Sequence, residues 1–132
     1  MPSVLIIEPD HEISEPLRLE VEQASHSVVV AKNWERGLEV MIRKALLDQL
    51  PDAALVSFER GISNYLFALY LRQHPAYSQY RLSILGYGQF AVDPVVQKLF
   101  DYTTSRIFMD DEILHWLSSV SANGGWGLLK PA

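Results

Sequence analysis

The residues able to do chemistry in this chain are few, and they gather where short apolar runs end. Glu8 and Asp10 follow Val4-Leu5-Ile6-Ile7, and Ser57 follows Ala53-Ala54-Leu55-Val56. Two carboxylates, joined by Glu59, supply the oxygen donors that a hard cation such as Mg²⁺ requires. Pro9 stands between Glu8 and Asp10 and alters their mutual geometry. A serine becomes a nucleophile when a strained elbow or a neighbouring base activates it. Val56-Ser57-Phe58 is not a GxSxG elbow, so Ser57 reads first as a small residue at a strand end. His11, His26, His74 and His115 never fall three or four residues apart, and the HExxH spacing is missing, which argues against a histidine metal site. No GxGxxG or GxxxxGK[ST] loop is present to cradle phosphate. The reading therefore assigns no catalytic residue, no cofactor and no metal. It leaves a cluster of Glu8, Asp10 and Ser57 as the candidate pocket.

The elements that must position these residues alternate in type. Runs at 4–7, 28–30, 53–56 and 82–85 read as strands, and the first, uniformly apolar and β-branched, suits a strand covered on both faces. A weaker strand follows at Tyr102-Thr103-Thr104. Between them lie helical stripes: Ile13, Leu17, Val21 and Ala24; then Leu38, Met41, Ile42 and Ala45 behind an Asn33 cap; then Ile62, Leu66, Leu69 and Tyr70. Pro16 belongs in a first turn, which predicts that the first helix starts late or bends. Gly37 weakens its helix by about 1 kcal/mol relative to Ala. Asp93-Pro94 opens a short helix, and Asp110 or Asp111 caps a last one carrying Ile113, Leu114, Leu117 and Val120. The order βαβαβαβαβα predicts an α/β chain: a doubly wound, five-stranded parallel sheet in three αβα layers, with the first and third strands central. In such sheets the functional crevice lies at the carboxyl ends of the strands. That is where Glu8, Ser57, Gly86 and Ser105-Arg106 fall.

Composition bounds the rest. The chain has 132 residues, 48% of them hydrophobic and 20% charged, which is a composition for one folded domain. Its formal charge of −5, without a basic cluster, argues against direct nucleic-acid binding. Cysteine is absent, so disulfides, thiolate metal sites and cysteine nucleophiles are excluded. No apolar run is long enough for a membrane span, and the first ten residues lack a basic leader. Together these predict a cytoplasmic protein with no membrane insertion. Residues 1–120 are expected to form the domain. Residues 121–132, rich in glycine, are expected to form a tail or linker. Among the aromatics, Tyr65, Tyr77, Tyr80, Tyr87 and Phe90 fall in predicted loops or helix ends, a composition suited to a partner surface.

Several of these segments resemble one family. Val4-Leu5-Ile6-Ile7-Glu8-Pro9-Asp10 is similar to the acidic first strand of bacterial response-regulator receiver domains. Pro51 through Ser57 resembles the third strand, which ends in the phospho-accepting Asp. Phe100-Asp101-Tyr102-Thr103-Thr104 resembles the fifth-strand segment with its switch aromatic, and Asp110 through Leu114 the start of the last helix. The resemblance spans residues 3–120 and implies a flavodoxin-like, receiver-like (βα)5 fold. It also implies departures. One of the paired first-strand acids is kept as Glu8, while Pro9 takes the second place and Asp10 falls one position late. The acceptor position reads Ser57 and the fourth-strand hydroxyl position reads Gly86. The fifth-strand Lys position reads Ser105, with Arg106 beside it, and Tyr102 keeps its type. Phosphoryl transfer depends on positioning and charge neutralisation. The resemblance is therefore to a degenerate, or pseudo-, receiver.

Such a domain is expected to be a non-catalytic signalling module that binds a protein partner, with homodimerisation open. The resemblance places the working surface on the fourth helix, fifth strand and fifth helix, with Val95, Tyr102, Ile113 and Trp116 as its candidate residues. Trp116 falls off the apolar stripe of its helix and is expected to be exposed. Two alternatives stand beside this reading: a receiver-like assembly wing of a larger pyridoxal-phosphate decarboxylase, and a small flavodoxin-like cofactor binder.

Overall fold

The computed structural model describes residues 3–24, 26–57, 64–74, 82–88, 94–104 and 112–122. Their elements are β1 (Ser3–Ile7), α1 (His11–Gln23), β2 (Ser27–Ala31), α2 (Trp34–Leu46), β3 (Ala53–Ser57), α3 (Tyr65–Gln73), β4 (Ser83–Tyr87), α4 (Pro94–Gln97), β5 (Tyr102–Thr104) and α5 (Glu112–Ala122). The strands form one sheet in the order β2-β1-β3-β4-β5, and every pairing is parallel. β1 and β3 lie inside it as expected, which is why residues 4–7 and 53–56 are apolar.

Alternation along the strands divides the core into two. Val4, Ile6, Ala53, Leu55, Leu85 and Tyr87 face α1 and α5, meeting Leu17, Val21, Ile113 and Leu117. Leu5, Ile7, Ala54, Val56 and Ile84 face α2 and α3, meeting Met41, Phe67, Ala68 and Leu71. The helices therefore cover both faces, and the three layers follow.

Three local features depart from the sequence expectations. First, α1 neither starts late nor waits for Pro16. Asp10 caps it by accepting the Glu12 backbone N–H at 2.9 Å, and the helix runs from His11 through Pro16, forgoing one backbone hydrogen bond. Second, Gly37 is where α2 approaches the sheet most closely. A Cβ there would lie 2.7 Å from Ile7 Cδ1 and 3.2 Å from Phe67 Cδ1, so the residue that weakens the helix is the one that seats it. Third, α5 continues through Ser121 and Ala122, two residues into the expected tail; residues 123–132 lie outside the described set. The expected start of the third helix at Ile62 also lies outside it.

Arg72, near the end of α3, joins the amino-terminal ends of β4 and β5. Its guanidinium donates to the carbonyls of Leu82 at 3.2 Å and Leu99 at 3.2 and 3.3 Å, and to Asp101 Oδ2 at 3.1 Å. The same Asp101 oxygen accepts the Ile84 backbone N–H at 2.7 Å. A second stitch crosses β1 and β3, where Asp52 Oδ2 accepts the Ser3 N–H at 2.8 Å.

Candidate functional site

The carboxyl ends of β1, β3 and β4 bring three side chains to one side of the sheet. Glu8 follows Ile6 in the alternation, Ser57 follows Leu55, and Tyr87 follows Leu85, so all three belong to the face covered by α1 and α5. Glu8 and Ser57 are buried, and Tyr87 is completely so. The Tyr87 hydroxyl donates a 2.6 Å hydrogen bond to Glu8 Oε1. The other carboxyl oxygen, Oε2, accepts the Asp10 backbone N–H at 3.0 Å. A buried carboxylate is costly unless its oxygens are paired, and here the protein pairs both. The Glu8 backbone is fixed as well, its N–H donating to the Ala31 carbonyl at 2.9 Å.

Asp10 is brought near this pocket but its carboxyl group has another task. Oδ1 caps α1, half-buried at the helix start rather than set beside Glu8 as a second ligand. Ser57 closes β3. Its carbonyl accepts from Asn64 Nδ2 at 3.1 Å, which ties the strand end to the start of α3.

The fourth-strand assignment requires correction. Register pairs Ser57 with Tyr87, and Gly86 with Val56. Val56 belongs to the α2/α3 face, so Gly86 cannot present a group to the pocket. The residue in register with Ser57 is Tyr87, a fully buried phenol. Gly88 then turns with φ of 139° while its N–H donates to the Thr104 carbonyl at 3.0 Å. That backbone conformation favours glycine.

Among the described residues, the acidic corner offers no ligand set for Mg²⁺. Both Glu8 oxygens are engaged by protein donors, Asp10 caps a helix, and no group of three or more acidic or histidine side chains is suitably arranged among the described residues. Glu59, Ser105 and Arg106 lie outside them.

The expected interface is only partly a surface. Tyr102 on β5, paired with Leu85, is 38% exposed. Ile113 is buried against the sheet, so it is a core residue, because the apolar stripe of α5 turns inward. Trp116, expected to be exposed, is half-buried against the same cluster. Its indole is large enough to reach back to the core from the flank of the helix. Val95 sits in α4; its side chain lies outside the description. Of the loop aromatics, Tyr87 is in the core and Tyr65 packs half-buried against the α2/α3 cluster. Tyr77, Tyr80 and Phe90 lie outside the described residues. The Glu8–Tyr87 contact escaped sequence reading because the partners are 79 residues apart. Strand parity was the available signal: it places residue 87, not 86, on the face of Ser57.

Comparison with solved structures settles the architecture. The response regulator TrrA from Thermotoga maritima, in complex with Mg²⁺-BeF, superposes with a TM-score of 0.73 at 19% identity, over 91% of this chain and 99% of that one. A CheY-like response regulator receiver domain from Methylobacillus flagellatus gives 0.74 at 15% identity, over 91% and 98%. The chain has the receiver fold. The pseudo-receiver domain of the CikA protein shares it too, with a TM-score of 0.68 at 20% identity over all of both chains. No protein-family model and no curated protein sequence matches the chain. The receiver fold thus persists here with a tyrosine hydrogen-bonded into the acidic corner of its sheet.

Proposed function

We propose that this receiver-fold chain is a pseudo-receiver: a non-enzymatic signalling module that works by binding a protein, independently of aspartyl phosphorylation, in a cytoplasmic two-component-type pathway. The observation that carries the reading is the Tyr87–Glu8 hydrogen bond. It commits to an internal partner the acid that would hold a charge-neutralising Mg²⁺ for phosphoryl transfer, at the strand end where Ser57 offers a hydroxyl in place of a carboxylate. The comparisons are consistent with such a role. One receiver-fold relative is described as a pseudo-receiver, and TrrA is also seen in complex with the histidine kinase ThkA. No helix among the described residues is long and apolar enough to cross a membrane.

The deciding experiment is incubation with acetyl phosphate or phosphoramidate and Mg²⁺, followed by intact-mass spectrometry. The expected result is an unchanged mass. A gain of one phosphate, abolished by Ser57→Ala, would overturn the proposal. The binding half is tested by affinity capture from the native host, with Tyr102→Phe and Tyr102→Ala as interface probes and circular dichroism as the control for folding. Loss of capture by folded Tyr102 variants supports the fifth-strand surface; undiminished capture moves the interface elsewhere.

A further inference from the structure

Among the described residues the buried titratable side chains are Glu8, Tyr87 and His26, and His26 takes no part in the acidic corner. It lies at the opposite, amino-terminal end of the sheet, between α1 and β2. Its backbone N–H donates to the Val21 carbonyl of α1 at 3.4 Å, and the residue is 9% exposed. Its Nδ1 is buried without a hydrogen-bond partner. In the imidazolium both ring nitrogens are donors, so protonation turns Nδ1 into a buried cationic donor with no acceptor, an arrangement a folded protein resists.

Few charged groups surround it among the described residues. β1 and β2 carry none. The last turn of α1 brings Glu20 and Glu22, and Glu22 accepts from Arg18 at 2.7 Å. The segment entering β3 brings Asp52. Burial opposes the charging of the His26 ring, and the Asp52 carboxylate is the anion that favours it. Asp52 is also a clamp between strands. Its Oδ2 accepts the Ser3 N–H at 2.8 Å, its own N–H donates to the Ser3 carbonyl at 2.8 Å, and its carbonyl accepts the Ser83 N–H at 3.5 Å. One residue thus ties the amino ends of β1, β3 and β4.

We propose that His26 and Asp52 form a proton-operated latch: a proton taken up on His26 draws the Asp52 carboxylate off the Ser3 N–H and loosens the amino end of β1 from β3. Nδ1 bonds to neither Asp52 oxygen as the structure stands, so pairing requires movement. The ring is enclosed and its backbone is held by Val21, whereas the Asp52 side chain is half-buried and has room to turn. A histidinium outcompetes a neutral amide for a carboxylate because both partners are charged and poorly solvated. The bond from the Asp52 N–H to the Ser3 carbonyl survives the exchange, so the change is a local opening and not unfolding. The latch lies at the end of the sheet away from Glu8 and Tyr87 and stands apart from the pseudo-receiver reading.

Two-dimensional NMR of the full chain, following the His26 ring and the backbone amides from about pH 7.5 to about pH 5, tests it. The Ser3 amide is expected to titrate with the midpoint of the His26 ring, below 6.5. Its protection against hydrogen exchange should fall roughly tenfold over that transition. In His26→Gln the Ser3 amide should stop titrating. Asp52→Asn keeps an oxygen for the Ser3 N–H but removes the charge. There Ser3 should stay bonded throughout, while the His26 ring titrates lower still. A Ser3 amide that does not move with the His26 ring overturns the proposal, and so does one that titrates identically in His26→Gln. Acid unfolding of the whole chain with no earlier change at Ser3 overturns it as well.

Discussion

At the scale of single residues, the most consequential side chain is Tyr87. It is fully buried in register with Ser57, and its hydroxyl donates to Glu8. Tyr87→Phe keeps the ring and leaves Oε1 of a buried carboxyl without its donor. We expect a loss of about 1–3 kcal/mol in urea unfolding. A Tyr87→Phe protein as stable as the parent would show that the hydrogen bond contributes nothing. His26 makes a second prediction. It is buried, its Nδ1 has no hydrogen-bond partner, and burial lowers its pKa below 6.5 against a smaller opposing pull from Asp52. The unfolded chain therefore takes up a proton on this residue that the folded chain resists. The contribution of neutral His26 is fully present above pH 6.5 and is lost as pH falls below it. Melting temperatures measured from about pH 7.5 to about pH 5 should fall more steeply for the parent than for His26→Gln. Equal slopes would refute this cause.

At the scale of elements, α2 is held at its working distance by the absence of a side chain at Gly37. Gly37→Ala gains about 1 kcal/mol of helix propensity, but drives a methyl group into Ile7 and Phe67, and overpacking costs roughly 1–3 kcal/mol. We expect net destabilisation in the parent. In an Ile7→Val background, which removes the Cδ1 atom that would be struck, the same substitution should become neutral or stabilising. Strict additivity in this double-mutant cycle would rule out the close approach as the cause. The α3–β4–β5 junction depends on Arg72 in a similar way. Arg72→Met keeps the length of the side chain but removes the donors to Leu82, Leu99 and Asp101. A loss of about 2 kcal/mol is expected, discounted from a fully buried charge because the guanidinium is partly solvated. A smaller loss from Asp101→Asn than from Arg72→Met would fit carbonyl binding as the larger part.

At the scale of the whole molecule, the engagement of both Glu8 oxygens by protein donors predicts indifference to Mg²⁺. A ligand stabilises a protein only when it binds the folded state better than the unfolded one. Millimolar Mg²⁺ should leave the melting temperature of the parent unchanged within experimental scatter, and a rise of several degrees would show that Tyr87 leaves room for the ion.

The sequence by itself determined the architecture because its signals are local and repeated. Apolar β-branched runs alternate with helical stripes, and parallel strands joined by right-handed crossovers leave little freedom of topology. Even the three-residue β5 and the Asn33 helix start were readable, since each depends on a few adjacent residues. The resemblance further located Glu8 and Ser57 at the crevice. Only the tertiary structure decided what occupies that crevice. Shifting by one residue along a strand exchanges the faces of the sheet, so the choice between Gly86 and Tyr87 rested on register with β3. The same holds for Ile113 and Trp116, whose burial depends on how α5 sits against β4, and for Gly37, whose value lies in the side chains across from it. Each of these is fixed by contacts between residues far apart in the chain, where periodicity carries no information.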